Sequence, residues 1–366
     1  MVSGRSAGDR ETQIRFVEDK SPDWMRVQEL LGRSSRAGRW ANFGPVQQHF
    51  AEVVARMLNL DAGRAVVSAS SATSALFALI GAHAEESGRP HVWAVSAFGF
   101  FSTAIGPLAG RVRVVDCDVT GMIDISALSA LPAESWDGLL VTDVFGAQPD
   151  FSELSNLCAA AGKPMIIDAA VSFPARRSPG LHASEIVSFH HTKPWGFGEG
   201  GCAVVDAAQA EKVRAFLNFG VGAHASLAAF AGNGKMSDVA AALIVQRLEC
   251  MPRWAEGYRR QRQRITDLAL SEGLAILVTP AADVVAPHVP VLARRAVALS
   301  DLPSAPFAVA KYYRPLSSKC PVAAQLYSRI VNVPCHPGMA AIDDTTIGRF
   351  FRALAGGEFA QAQATP

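Results

Sequence analysis

The sequence predicts an α/β protein: a mainly parallel sheet with helices on both faces, followed by a smaller α+β domain. Two patterns carry this. Between about residues 64 and 206, short continuous apolar runs alternate with amphipathic stretches, as strands buried on both faces require. After about residue 275 the texture changes to short strands, Pro-rich turns and one last helical pattern. Composition agrees, because 49% hydrophobic against 18% charged in 366 residues is enough to bury a large core and excludes a disordered chain.

Taken in order, residues 1–42 are polar and rich in Arg, Ser and Gly, and read as an arm rather than a core element. Strands are expected at 64–69, 91–97, 112–118, 138–144 and 164–170, with helices over about 72–82 and 150–161 and a helical run ending near Gly110. Two more strands, 185–191 and 202–206, flank a Gly-rich hairpin. Helical spacing of Ala, Leu and Val covers 236–251, Pro252 marks a kink or a break, and a helix resumes over 254–272. The last helix falls near 343–355, with a frayed tail over 356–366. The expected division is an arm at 1–42, a large domain at 43–250 and a small C-terminal domain at 251–366.

Charge and cysteines narrow the function. Lys and Arg number 34 against 33 Asp and Glu, with no clustered basic face, so no nucleic-acid partner is expected. The six cysteines are scattered, without a C-x-x-C pair or a histidine at ligand spacing. They read as reduced thiols rather than a metal site. Met1–Lys20 has no apolar core of a signal peptide, and no apolar run approaches the roughly 18 residues of a membrane span. A soluble cytoplasmic protein acting on a small molecule is expected.

Gly196-Phe197-Gly198-Glu199-Gly200-Gly201 matches G-x-G-x-x-G letter for letter. A dinucleotide fingerprint must follow a strand and open a helix, whereas a strand follows here, so a close-approach hairpin fits better. Three residues upstream stands Lys193, between a buried strand and the glycine turn. A desolvated lysine there would have a lowered pKa and form imines readily, although alone it reads as a snorkelling surface lysine. Two other segments shift the balance. Ser70-Ser71-Ala72-Thr73-Ser74 lies where a strand turns into a helix, a place for a phosphate or simply for an N-cap. Asp168 closes the strand PMIID, where open α/β sheets place their ligand crevice, or where an acid caps the next turn. A strand-end acid, a buried lysine and an anion cradle together are what pyridoxal 5'-phosphate needs.

These residues resemble the DegT/DnrJ/EryC1/StrS aminotransferases, a sugar-aminotransferase branch of the fold-type-I pyridoxal-phosphate enzymes. The matching pieces are NFGP (42–45), SSATSAL (70–76), FGFFSTA (98–104), FGAQPD (145–150), IIDAA (166–170), SFHHTKPWGFGEGG (188–201) and GNGKMSDVAAA (232–242), with YYRPL (312–316) and VPCHPGM (333–339) beyond them. The resemblance implies that Lys193 bonds the cofactor and shuttles the proton, and that Asp168 pairs with the pyridine nitrogen. It gives the phosphate to Ala72, Thr73 and Ser188, the ring stack to Phe100, and a reach into the neighbouring subunit of a homodimer to Asn233. His191 and Tyr313 are candidate substrate contacts, His191 because strand alternation sends one of His190 and His191 inward. Trp195 is a candidate wall or core residue.

Departures from the family pattern fall beside the ring. Val171 replaces a Gln that would bond the ring oxygen, Asp143 replaces a His, His191 a Pro and Lys235 an Arg. The expected activity is transamination of a keto sugar, nucleotide-linked, with glutamate as amino donor. A non-nucleotide keto sugar or cyclitol is the alternative substrate, and a non-catalytic regulatory relative the alternative class. A dehydratase of the same fold would have lost the lysine.

Overall fold

The computed structural model describes residues 13–174 and 180–356. The expected frayed tail beyond Gly356, and the first twelve residues of the expected arm, lie outside them. The chain begins with two helices, α1 (Trp24–Ala37) and α2 (Pro45–Leu58), before strand β1 (Arg64–Ala69) and helix α3 (Ala72–Ser87). Strands β2 (Trp93–Ser96) and β3 (Val112–Val115) follow, then short helix α4 (Ile125–Ser129), β4 (Gly138–Thr142), α5 (Ser152–Ala160) and β5 (Met165–Asp168). Strands β6 (Ser184–Ser188) and β7 (Gly201–Asp206) complete a seven-stranded sheet, ordered β1-β7-β6-β5-β4-β2-β3. β7 pairs antiparallel with both neighbours, while the pairs from β6 through β3 are parallel.

The strands are short and apolar because both faces are covered. All residues of β2, β4, β5 and β6 are buried. On one face lie α3 and α6 (Ala210–Leu217), where a side chain at Gly81 would strike the ring of Phe216 at 2.7 Å. α3 is apolar nearly all round, as a helix wedged between sheet and neighbour must be. On the other face α2 packs against β1 and against α7 (Asp238–Glu249).

The segment expected as an arm contains α1, a docked helix. A narrow stripe of Val27, Leu30 and Ser34 faces α2 and α7, while the rest of the helix is solvated and gives the segment its polar composition. Asp238 fastens this corner. Its buried carboxylate accepts from Ser34 Oγ at 2.5 Å and from the α2 amides of Val46 (3.2 Å) and Gln47 (3.0 Å). Asp238 thus supplies the N-cap that Gly44 lacks, and a side chain at Gly44 would collide with it at 2.5 Å.

Helix α7 ends at Glu249 and α8 (Met251–Ser271) starts with Pro252 in its first turn, so the proline breaks one run into two helices. Strands β8 (Ala275–Ile276), β9 (His288–Leu292) and β10 (Ile330–Pro334), with α9 (Pro321–Arg329) and α10 (Asp344–Gly356), form the C-terminal part around an antiparallel three-stranded sheet. Among the described residues no helix is long and apolar enough to cross a membrane.

Candidate active site

The carboxyl ends of β4, β5 and β6 and the amino end of α3 meet at one edge of the large sheet. Asp168 ends β5 in register with Thr142 of β4 and Ile186 of β6. It is 3% exposed, and its Oδ1 accepts from Ala170 N at 3.1 Å, so the turn-capping role coexists with its place in the crevice. Burial raises its pKa to about 6, against the lowering effect of the Ala170 amide and of Lys193. Lys193 is the reciprocal group: burial lowers it to about 8 while Asp168 pulls it upward. The two are coupled through their charges: an amine partly neutral at physiological pH and a carboxylate held out of water.

The loop between β6 and β7 explains its glycines. Lys193 N donates to His190 O (2.9 Å) and Gly196 N to Lys193 O (3.0 Å), closing consecutive turns around the lysine. A side chain at Gly196 would lie 2.1 Å from His190 O, and Gly198 takes φ +65°. Gly201 opens β7, not a helix, so the G-x-G-x-x-G letters bind no dinucleotide in the Rossmann manner. Trp195 is fully buried and donates from Nε1 to Ser188 O at 2.7 Å, which makes it core rather than pocket wall.

Gly201 also builds the anion cradle. It pairs with Ala69 of β1 and with Ser188 of β6, and a Cβ there would sit 2.2 Å from Ala72 N. Ser188 and the first turn of α3 are thereby drawn together across a strand with no side chain. Ser71 caps α3, accepting from Ser74 N at 3.0 Å. The amides of Ala72 and Thr73 belong to the first helical turn, where backbone N–H groups have no intrahelical acceptor and the helix dipole favours an anion. An amine, an acid and a cradle that a Cβ would fill fit pyridoxal 5'-phosphate.

The remaining expected residues are placed less uniformly. Tyr313 is buried, stacked on Phe145 at 5.0 Å, and its hydroxyl is raised well above its usual value by burial and then by Asp168 and Asp143. Phe100 is 40% exposed and lies on Phe101 at 4.3 Å, with much of its ring uncovered. β6 ends at Ser188, so strand alternation does not reach His190 and His191. Both are partly exposed, and it is His190 whose pKa, lowered by burial, is further lowered by Lys193. His191 packs edge-on against Phe197 at 5.3 Å. Asn233 is exposed; the loop carrying it lies against its own chain's cradle, with Ser70 N donating to Gly234 O at 2.7 Å. Val171 is buried and brings no hydrogen-bonding side chain to the ring's neighbourhood.

Two site residues escaped the sequence reading. Asp143, noted there only as a departure, is fully buried at the end of β4, with its amide on Asp168 O at 3.0 Å and Gln148 N on its Oδ1 at 2.9 Å. His288 opens β9, and burial, then Lys193, lowers it to about 3, so it is neutral. Asn332 accepts from Tyr312 N through Oδ1 (2.7 Å), which turns its Nδ2 toward His288 Nδ1 at 3.2 Å and leaves the ring proton on Nε2. The only sequence signal for His288 is a single polar residue heading the apolar run HVPVL.

The sequence profile of the DegT/DnrJ/EryC1/StrS aminotransferase family matches residues 25–351. Protein Rv3402c of Mycobacterium tuberculosis (strain H37Rv) is 27% identical over 374 aligned positions, covering 94% of this chain and 90% of that one. The crystal structure of DesI in the presence of its TDP-sugar product superposes with a TM-score of 0.76 at 22% identity, covering 95% of this chain and 94% of DesI. Helicobacter pylori PseC, an aminotransferase involved in the biosynthesis of pseudoaminic acid, gives 0.75 at 17% identity, covering 94% and 100%.

Proposed function

Because the chain belongs to the DegT/DnrJ/EryC1/StrS aminotransferase family and is a pyridoxal-phosphate-dependent transaminase, we propose that it aminates a nucleotide-linked keto sugar with glutamate as donor. The observation that carries the chemistry is the coupling of half-buried Lys193 to buried Asp168 beside the α3 cradle. Bound there, the cofactor supplies an electron-poor ring that draws charge from the substrate carbon. Lys193 Nζ would hold the cofactor's aldehyde carbon, and its amine would serve as the base that moves the proton at the carbon changing between amine and ketone. Asp168 would keep a proton on the ring nitrogen, Ala72 N, Thr73 N and Ser188 Oγ would hold the phosphate, and Phe100 would pack on the ring.

The nucleotide-sugar assignment draws support from DesI, whose structure was determined in the presence of its TDP-sugar product, and from a family match that runs through the C-terminal part to residue 351. His191 and Tyr313 are the proposed substrate contacts. The test is to load the protein with pyridoxamine 5'-phosphate and offer a panel of keto compounds, following return of the yellow absorbance. Return with nucleotide-linked 3- or 4-keto sugars, and not with free keto sugars, is the expected result. Return only with a free keto sugar or a cyclitol ketone would overturn the substrate assignment.

A further inference from the structure

Three carbonyl oxygens of the lysine loop converge on one cation that comes from the opposite end of the sequence. Lys20 Nζ donates to His191 O at 2.6 Å, Lys193 O at 2.5 Å and Gly196 O at 2.9 Å. Lys20 is 7% exposed, so water is not at hand to satisfy these oxygens. Burial and then the neighbouring Arg247 lower its pKa to about 7, while the three converging carbonyls favour the ammonium, whose three donors match three acceptors. A fourth carbonyl of the loop, Pro194 O, is held by Arg247 Nε at 2.9 Å. Arg247 is itself paired with Glu18 at 2.5 Å, and Tyr258 OH donates to the same carboxylate at 3.2 Å. The carbonyls at 191, 193, 194 and 196 are thus oriented by two cations tied to a single short stretch, residues 18–20.

We propose that Lys20 is a positioning residue for Lys193: by fixing the carbonyl of residue 193 and those around it, it sets the direction from which the Lys193 amine meets the cofactor. The inference rests on Lys193 being the lysine that bonds the cofactor. The physical link is short. The direction of the carbonyl at residue 193 is the direction of its ψ, and with the turn hydrogen bonds from Gly196 and to His190 already in place, little freedom is left in the Cα–Cβ bond that launches the side chain. Without a cation, the three oxygens would face one another in a dry pocket, and the loop would relax by turning at least one of them away. The cradle at α3 is made by other residues, so cofactor binding and lysine alignment are separable.

The test uses the full-length holoenzyme and compares Lys20→Met with wild type. Borohydride labelling of wild type comes first: a pyridoxyl group on a peptide other than the one containing Lys193 would remove the premise, independently of Lys20. With the label at Lys193, Lys20→Met is expected to retain cofactor yet lose at least half of the visible circular dichroism per bound cofactor. Its single-turnover rate should fall at least tenfold, with KM for the amino donor within threefold. A role confined to stability would lower Tm and leave the dichroism and the rate per folded molecule unchanged. Dichroism and rate both within twofold of wild type would therefore overturn the proposal. If Lys20→Met does not fold, Lys20→Gln, with two donors for three carbonyls, is read by the same criteria.

Discussion

At the scale of single residues, Lys193 and Asp168 perturb each other in a way that can be titrated. In the cofactor-free chain the amine is lowered to about 8 by burial, with Asp168 opposing the shift. Asp168→Asn removes the negative charge that favours the ammonium, so the Lys193 midpoint should fall further below 8, read from the pH dependence of its modification by an amine-selective reagent. An unchanged or raised midpoint would contradict the pairing. The same variant should lose most turnover, because an amide cannot hold the ring nitrogen protonated; a loss under about fivefold would correspond to less than about 1 kcal/mol of transition-state support. These two residues and Ser71 were legible in the sequence because their signals are local: a strand end, a glycine turn, a cap. Lys20 and His288 were not, since each reaches Lys193 across a long loop of chain and neither sits in a motif. Strand alternation pointed to His191 and failed there because β6 stops two residues before the histidine pair.

At the scale of elements, β7 approaches α3 too closely in the site to leave room for a side chain. Gly201→Ala would place a methyl carbon 2.2 Å from Ala72 N, so either the strand or the helix start must shift. Cofactor affinity is expected to fall at least tenfold, measured by equilibrium dialysis. Gly198→Ala, with open space around it but φ +65°, should cost only about 1 kcal/mol of stability and leave affinity within threefold. The N-terminal corner offers a second test. Asp238→Ala strands the buried amides of Val46 and Gln47 and the Ser34 hydroxyl, and about 2–3 kcal/mol of stability should be lost by denaturant titration. The strands of the large sheet could be located because most of them are short apolar runs covered on both faces, but several carboxyl ends were set two or three residues late, at 118, 144, 170 and 191 against 115, 142, 168 and 188. Helix α1 could not, because its buried stripe is three residues wide in a segment otherwise made for water. The hydrogen bonds of Asp238 span about 190 positions of sequence and have no local trace.

At the scale of the whole molecule, Asn233 lies on an exposed loop with Phe219 and Val221 nearby on the chain, 65% and 66% exposed, and Lys235 over the Phe219 ring at 4.4 Å. We propose a homodimer in which this surface meets a second copy and Asn233 completes the neighbouring phosphate site. Lys193→Ala and Asn233→Ala, each inactive alone, should then recover part of the activity when unfolded together and refolded as mixed dimers. A fully active monomer in sedimentation would rule this out. The N-terminal stretch before α1 has a further consequence, one of time rather than geometry. Ile14 bridges Phe307, the Arg15 carbonyl meets His336 Nε2, and Phe16 lies against His288 at 5.8 Å, while Lys20 closes the lysine loop. During synthesis residues 14–16 must wait for partners made more than 270 residues later. The large sheet can assemble meanwhile, and the contacts of Lys20 and Glu18 with the lysine loop, Arg247 and Tyr258 need nothing beyond residue 258, so the lysine loop can be framed before residues 14–16 find their C-terminal partners.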